Sequence, residues 1–376
     1  MRIGIDARMY GPRQGGLGRY IEQLIIHLEK LAADRPDFEF VIFLRQENWD
    51  EYTPMSPRFH KILTDIPWYG WREQLFFKKI IREQKIDLMH FPHWNVPFFY
   101  NDPFVVTIHD LLLLHYPTRA ASTLGPISYW FKNIAFKIVL RHAVNQSKYI
   151  LAPCEFTKKD IVKMLGVPAN KITVSLLGIS QLANSTASID IKTKYHIAKP
   201  YLLYVGMAFP HKNLDGLLRA WKIFVEKYGH DYQLVLAGKK NYFYDTLTKS
   251  NIAHAIGDAV IFTDFVPDSD LPTLYQNASL YVFPSLYEGF GLPPLEAMAH
   301  ILPVVSSNST CLPEILNDAA AYFDPKNYPQ MAEVIHRALT DENLRQKLVA
   351  NGQKVIHNYS WENTAKITWG IYEKGV

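Results

Sequence analysis

The chain has 376 residues, 48% of them hydrophobic and 20% charged. That is longer than one core usually grows and far too apolar for a disordered chain, so two globular domains are expected. The net charge of +4 falls short of the concentrated basic footprint of a dedicated nucleic-acid binder, yet suits a local anionic ligand or an anionic membrane surface.

The opening "MRIGIDARMY" reads as a strand and lacks the apolar core of a signal peptide. No run approaches the roughly 18 uncharged apolar residues of a membrane-spanning helix. Cys154 and Cys311 are the only cysteines and lie in separate halves, which fits a reducing compartment and excludes a zinc cluster built on cysteine. A cytoplasmic protein is expected, and the sequons at Asn145, Asn184, Asn277 and Asn308 are then chance matches.

Next comes "GPRQGGLGRYIEQLIIHLEKL", in which Gly15, Gly16 and Gly18 precede a periodic helix. Glycines there let backbone N–H groups approach a phosphate at a helix amino terminus. The spacing is neither G-x-G-x-x-G nor a P-loop, so a plain tight turn is an equal reading. Strand-like runs follow in "FEFVIFL", "LMHF", "FVVTIHD", "YILAP" and "ITVSLLG". "HFPHWNVP" adds His90, His93 and Trp94, which suit packing or acceptor contacts better than a metal, since no carboxylate completes the set. His109 and Asp110 end an apolar strand, where an acid, base or hydrogen-bonding group would face a cleft, or where the histidine merely caps the strand.

Two further segments of this half, "WYGWREQLFFKKIIREQK" and "YWFKNIAFKIVLRHAV", mix aromatics with Lys and Arg. The composition suits a helix lying on an anionic membrane. It equally suits aromatics packed inside with solvated basic residues outside.

A polar stretch from about Ser180 to Pro200 reads as a linker. Beyond it the rhythm repeats in "YLLYVG", "QLVLAG", "VIFTDFV", "SLYVFPS" and "PVVSS". After "YLLYVG" a turn carries His211 and Lys212 into a helix, so the lysine can add its charge to backbone donors there or be simply solvated. "DSD" at Asp268 to Asp270 opens "DLPTLYQNA" and reads as a helix cap rather than a metal site. In "SLYEGFGLPPLEAMAH" the strand gives way to a turn, and prolines open a helix. Glu288 then lies in the loop and Glu296 at about the third helical position. Ionised glutamates accept hydrogen bonds from hydroxyls, and N–H groups around Gly291 and Leu292 can meet an anion, so sugar plus phosphate is the natural ligand. The plainer alternatives are a first-turn acid at Glu296 and an exposed loop acid at Glu288.

Runs apolar on both faces and alternating with helices indicate parallel sheets covered on both sides. The fold class is therefore α/β, with two doubly wound, Rossmann-like domains and ligands expected beyond the strands' carboxyl ends, in a cleft between the domains.

The spaced glutamates of "EGFGLPPLE" resemble the E-x7-E motif of family-four retaining glycosyltransferases, which have the GT-B fold. The agreement continues in order through "GGLGRY", "TIHD", "CEFTKKDI", "VGMAFPHKN" and "DFVPDSDLPTLYQNASLYVFPS". The resemblance implies a sugar nucleotide held mainly by the second domain. Glu296 would bind the ribose, Glu288 the donor sugar and Lys212 the diphosphate. Backbone groups at Gly16, Phe290, Gly291 and Leu292, flanked by Gly15 and Gly289, would hold phosphates and sugar hydroxyls, and His109 would lie beside the donor sugar. By the same resemblance Glu288, His109 and Lys212 would form the catalytic set. Many relatives carry arginine after the glycine of the "VG" strand where this chain has Met207, so one diphosphate cation is missing and His211 would partly substitute.

"SWENTAKITWGIYEKGV" resembles the family's closing helix, which implies an amino-terminal domain of residues 1–179 plus 361–376 and a nucleotide-sugar domain of 180–360. "GIDAR", "GGLGRY" and "VGMAFPHKN" look closest to bacterial mannosyltransferases that use GDP-mannose. The implied activity is retaining and metal-independent, with front-face attack in which the departing phosphate takes the acceptor proton. The acceptor would be a glycan or lipid-linked saccharide of bacterial surface polysaccharide synthesis, reached from the cytoplasm or the inner face of the cell membrane. No cofactor beyond the sugar-nucleotide substrate and no nucleic-acid partner is expected. A UDP-hexose transferase, an epimerase or phosphorylase of the same fold, and a non-catalytic sugar-nucleotide binder are the other readings. An oxidoreductase ranks last, since G-x-G-x-x-G is missing after the first strand.

Overall fold

The computed structural model describes residues 1–33, 35–117, 125–179 and 190–375, without the side chains of 126–129. The first half of the expected linker and the Asn184 sequon lie outside the described residues. The chain divides into two units, Met1–Gly178 with Ser360–Val376, and Ile179–Tyr359.

In chain order the first unit contains β1 (Arg2–Asp6), α1 (Gly15–Ala32), β2 (Glu39–Leu44), β3 (Phe59–Leu63), a π-helical turn Glu73–Phe77 leading into α2 (Lys78–Glu83), β4 (Leu88–Phe91), β5 (Phe104–Thr107), α3 (Leu112–His115), α4 (Pro126–Gln146), β6 (Tyr149–Ala152), α5 (Glu155–Leu165) and β7 (Ile172–Val174). The second contains α6 (Ile191–Lys194), β8 (Tyr201–Val205), α7 (Leu214–Tyr228), β9 (Gln233–Ala237), α8 (Tyr242–Thr248), α9 (Asn251–Ile256), β10 (Val260–Asp264), α10 (Leu271–Asn277), β11 (Leu280–Phe283), α11 (Leu292–Ala299), β12 (Val304–Ser307), α12 (Leu312–Leu316), β13 (Ala320–Phe323), α13 (Tyr328–Thr340) and α14 (Glu342–Val355). The last helix, α15 (Trp361–Gly375), returns to the first unit. No helix among the described residues is long and apolar enough to cross a membrane.

Each unit is built on one parallel sheet, of order β3-β2-β1-β4-β5-β6-β7 in the first and β10-β9-β8-β11-β12-β13 in the second. The central strands are apolar on both faces because helices cover both, and β4, β5, β11 and β12 are buried along their whole lengths. Two strands escape the apolar-run signal. β3 is an edge strand whose His60 and Leu63 are exposed, and β13 begins with two alanines, poor strand formers that fit because neighbouring elements bury them.

In the first unit, α15 is stitched to the sheet by a buried polar chain. Tyr372 of α15 bonds His90 Nδ1 at 2.6 Å, His90 Nε2 bonds Thr107 Oγ1 at 2.8 Å, and Thr107 bonds Tyr20 of α1 at 3.1 Å. Burial lowers the His90 pKa to about 3, with the nearby His109 adding to the effect. His90 therefore works as a neutral hydrogen-bonding spacer with both ring nitrogens engaged, in agreement with the packing role read from the sequence.

This neutrality has a signed consequence. The unfolded chain protonates the histidine below about pH 6.5, whereas the folded one stays neutral down to about pH 3. The His90 contribution is complete above pH 6.5 and is lost as pH falls toward 3. Stability in denaturant titrations should decline through this window, by at most about 1.4 kcal/mol per pH unit for such a histidine. Tyr372→Phe, which leaves His90 Nδ1 without that partner, should cost about 1–2 kcal/mol at pH 7. An unchanged unfolding midpoint in that variant would show that the buried chain contributes nothing.

Candidate functional site

In the second sheet, strand order runs outward in both directions from the neighbours β8 and β11. Such a reversal leaves a crevice beyond the carboxyl ends of the two central strands. β8 leads into the turn Pro210–Lys212, and β11 leads into the loop Ser285–Gly291. Two devices tie these segments together. Leu286 N–H donates to the His211 carbonyl at 2.7 Å, and the Asn213 carboxamide donates to the carbonyls of Pro284 (3.1 Å) and Pro325 (2.9 Å). Asn213 sits at φ 59°, a left-handed conformation that asparagine tolerates better than most residues.

Lys212 and Glu288 meet across this junction. The ammonium donates to both carboxylate oxygens, at 2.7 and 2.9 Å, and the two side chains are only 22% and 10% exposed. Glu288 is not the exposed loop acid of the plainer reading. Its backbone is fixed as well: its N–H donates to Thr310 Oγ1 at 3.1 Å, and its carbonyl accepts from Cys311 Sγ at 3.3 Å. Cys311 also reaches the Phe290 carbonyl at 3.2 Å. Phe290 is anchored by its buried ring, edge-on to Tyr359 at 5.6 Å, so Gly289 is held between two fixed residues.

Gly291 then turns the chain at φ 98° and α11 starts at Leu292. Glu296 is therefore the fifth helical residue, where the sequence suggested the third, because Pro293 and Pro294 fall inside the first turn instead of opening it. The prolines lack N–H groups, so within the first four helical positions only Leu292 and Leu295 offer backbone donors. Tyr275, buried in α10, donates to Glu296 Oε2 at 3.1 Å.

His211 stacks on Phe209 at 5.9 Å. Its pKa is lowered to about 4, first by burial and then by the Lys212 charge. At neutral pH it brings a hydrogen-bonding ring to the turn and no positive charge, so Lys212 is the cation of this segment.

The first unit holds the other expected residues. α1 starts at Gly15 itself, so Gly15 and Gly16 are its first two residues rather than a turn ahead of it, and both are exposed. The glycine required by packing is Gly18, whose added Cβ would lie 2.0 Å from the Gly11 carbonyl oxygen. His109 lies edge-on to Tyr20 at 4.6 Å, and its Nε2–H donates to the Pro92 carbonyl at 3.0 Å. Burial lowers its pKa to about 4, so the ring is neutral and Nδ1 is a hydrogen-bond acceptor, suited to a hydroxyl donor. Asp270 stands at the start of α10 but caps nothing with its side chain; its carboxylate accepts from Lys194 and Tyr195, each at 2.6 Å.

Sequence reasoning passed over Asn213, Tyr275, Thr310 and Cys311. For Cys311 the only hint was "TCLPEI" at a strand-to-helix junction. It also passed over a buried cluster at the end of β1, where Arg8 donates to both Asp6 oxygens (2.8 and 2.7 Å) and to Glu73, and Asn95 donates to Glu73 at 2.8 and 2.9 Å. "GIDAR" carries the hint, since it sets a carboxylate and a guanidinium two residues apart where the strand ends.

Residues 14–180 match the family described as Glycosyltransferase Family 4, and residues 189–355 match Glycosyl transferases group 1. The O-antigen chain mannosyltransferase B of Escherichia coli is 31% identical over 297 residues, covering 78% of this chain and 76% of that protein. The serotype-specific mannosyltransferase WbdA of Escherichia coli is 36% identical over 182 residues, which is 47% of this chain and only 22% of that longer protein. Among solved structures, the sucrose-phosphate synthase of Thermosynechococcus elongatus aligns with a TM-score of 0.75 at 20% identity over 100% of this chain and 98% of that one. Anabaena Alr3699/HepE, solved in complex with UDP and glucose, aligns at 0.71 and 16% identity over 99% of each chain. The two parallel sheets and these likenesses define the two-domain α/β class called GT-B. The chain belongs to glycosyltransferase family 4.

Gly291 sets the position of both glutamates, which gives a direct test. Gly291→Ala forces a Cβ into a left-handed conformation and to 2.8 Å from Leu312 Cδ2, so the second unit should lose about 1–2 kcal/mol in chemical denaturation. An alanine variant as stable as the parent would mean that the turn has a second, unstrained path.

Proposed function

We propose that this glycosyltransferase takes mannose from GDP-mannose, transfers it with retention of anomeric configuration, and does so without a metal ion. The observation that carries the proposal is the Lys212–Glu288 pair where the strand order reverses. An ammonium has three donors, so Lys212 can keep Glu288 and still meet a diphosphate oxygen. As the bond from the sugar carbon to the diphosphate breaks, negative charge grows on the leaving oxygen, and a fixed cation with oriented N–H groups at Phe290, Gly291 and Leu292 stabilises it. The leaving oxygen then takes the proton of the acceptor hydroxyl, which attacks the same face of the sugar. No enzyme nucleophile is invoked, and Glu288 acts by accepting donor-sugar hydroxyls and positioning the ring. Glu296, oriented by Tyr275, is suited to the two hydroxyls of a ribose.

Mannose is favoured because both curated relatives described above are named mannosyltransferases. By the same reasoning the acceptor is a growing surface glycan, free or on a lipid carrier. A UDP-hexose donor is the second reading, favoured by the neighbour solved with UDP and glucose.

Calorimetry with GDP and UDP separates the two, with tighter GDP binding expected; tighter UDP binding would overturn the donor assignment. Glu296→Ala should weaken nucleotide binding by roughly tenfold, the loss of one or two hydrogen bonds to a charged group. Glu288→Gln should instead lower kcat by about a hundredfold while nucleotide affinity changes little. If both variants turn over like the parent, the site lies elsewhere. Transfer should survive a chelator, and NMR of the product should show the donor's anomeric configuration.

A further inference from the structure

A helix that covers a sheet has one apolar face, and α4 has two. Phe136, Leu140, Ala143 and Val144 are buried against the first sheet. On the other side Trp130 (59% exposed), Phe131 (62%), Ile134 and Ile138 form a second apolar stripe at helical spacing that faces solvent. Lys132, Lys137 and Arg141 are exposed around this stripe, and α4 contains no Asp or Glu.

The stripe does not stand alone. Trp71 (68% exposed), Leu75 and Phe76 project from the π-helical turn and the residues before it, and Phe98 and Phe99 from the loop between β4 and β5. That loop laces the two helical segments together. Phe98 N–H donates to Gln74 Oε1 at 2.6 Å, Lys78 donates to the Phe99 carbonyl at 2.6 Å, and the Phe98 ring lies 5.1 Å from that of His142 on α4. Arg82 of α2 holds Asp102 at the loop's far end through two bonds of 2.8 and 2.9 Å. Beside Leu75, a shallow groove is lined by Lys78, Lys79, Arg82 and Glu83.

So large an exposed apolar surface on one unit marks a surface that another phase or molecule covers. Its charge says which. Glu83 and Asp102 pair with Lys79 and Arg82, and Lys78, Lys132, Lys137 and Arg141 leave the rim cationic on balance, so two copies placed face to face would set like charges against one another in a dehydrated contact. A surface that is anionic at headgroup depth and apolar beneath satisfies both demands at once, with aromatic rings at the boundary and lysines among the phosphates.

We propose that this face, formed by the π-helical turn with α2, the loop carrying Phe98 and Phe99, and the outer side of α4, is a docking surface for an anionic lipid bilayer. The first unit rests on the membrane through it, with α4 in the plane of the headgroups. The proposal is independent of which sugar nucleotide the protein uses, and its test does not read transfer.

The full chain is sedimented at low salt with vesicles of phosphatidylcholine alone and of phosphatidylcholine with an equal part of phosphatidylglycerol. It should pellet with the second and not the first, and be released as salt approaches 1 M, where charges are screened within about 3 Å. Two double variants separate the contributions: Phe131→Ser with Ile134→Ser, and Lys132→Glu with Lys137→Glu. Each should lower the partition coefficient by roughly tenfold or more. All four side chains are exposed, so thermal unfolding should match the parent, and that match is the control for folding. The proposal is overturned if the protein stays in the supernatant with anionic vesicles, or if folded variants pellet like the parent. It is equally overturned if the parent is a dimer in sedimentation equilibrium that the Phe131→Ser, Ile134→Ser variant dissociates.

Discussion

A carboxylate that is nine-tenths buried must be matched by positive charge and hydrogen bonds, and the second unit is arranged around that requirement at Glu288. Lys212 matches the charge from the β8 side, while Thr310 and Cys311 fix the Glu288 backbone from the β12 side. Asn213 and Leu286 lock the two loops to each other so that the pair keeps its geometry. Two segments distant in sequence, 212–213 and 310–311, thus converge on the loop that carries Glu288. A charge pair supported in this way is held by several independent bonds, and fixed charges of that kind stabilise a developing charge most effectively.

The first unit uses its polar groups differently. Arg8, Asp6, Glu73 and Asn95 satisfy one another in the interior, and the guanidinium also lies over the Phe77 ring at 4.0 Å. His90 and His109 are kept neutral by burial. Within each unit, charge placed at strand ends either closes on itself, as around Arg8, or is held ready at a partly open junction, as at Lys212. The second arrangement is the one that suits a diphosphate.

The two alternatives that composition left equal for the aromatic and basic segments are divided by position along each helix. Phe77, Ile81 and Phe136 go inside, whereas Trp71, Phe76, Trp130 and Phe131 stay outside. Both readings hold for different residues of the same segments, and the outward set is the one that calls for a partner.

The strand runs, the turn residues and the charged junctions were legible in the sequence. Apolar periodicity and glycine chemistry are local properties, and a strand buried on both faces announces itself whatever surrounds it. The resemblance to E-x7-E likewise singled out Glu288 and Glu296, which lie on either side of the Gly291 turn. Tertiary structure alone decided what each of these groups touches. Nothing near Glu288 in sequence points to Lys212, 76 residues away, or to Thr310, and Asp270, which resembled a cap, proved to be the partner of Lys194 and Tyr195. β3 and β13 were missed because an edge position and an alanine pair weaken the local signal that neighbouring strands then override. Local sequence sets which conformations a segment prefers; the long-range pairing of buried charges and hydrogen bonds, which no window of residues contains, decides which groups meet.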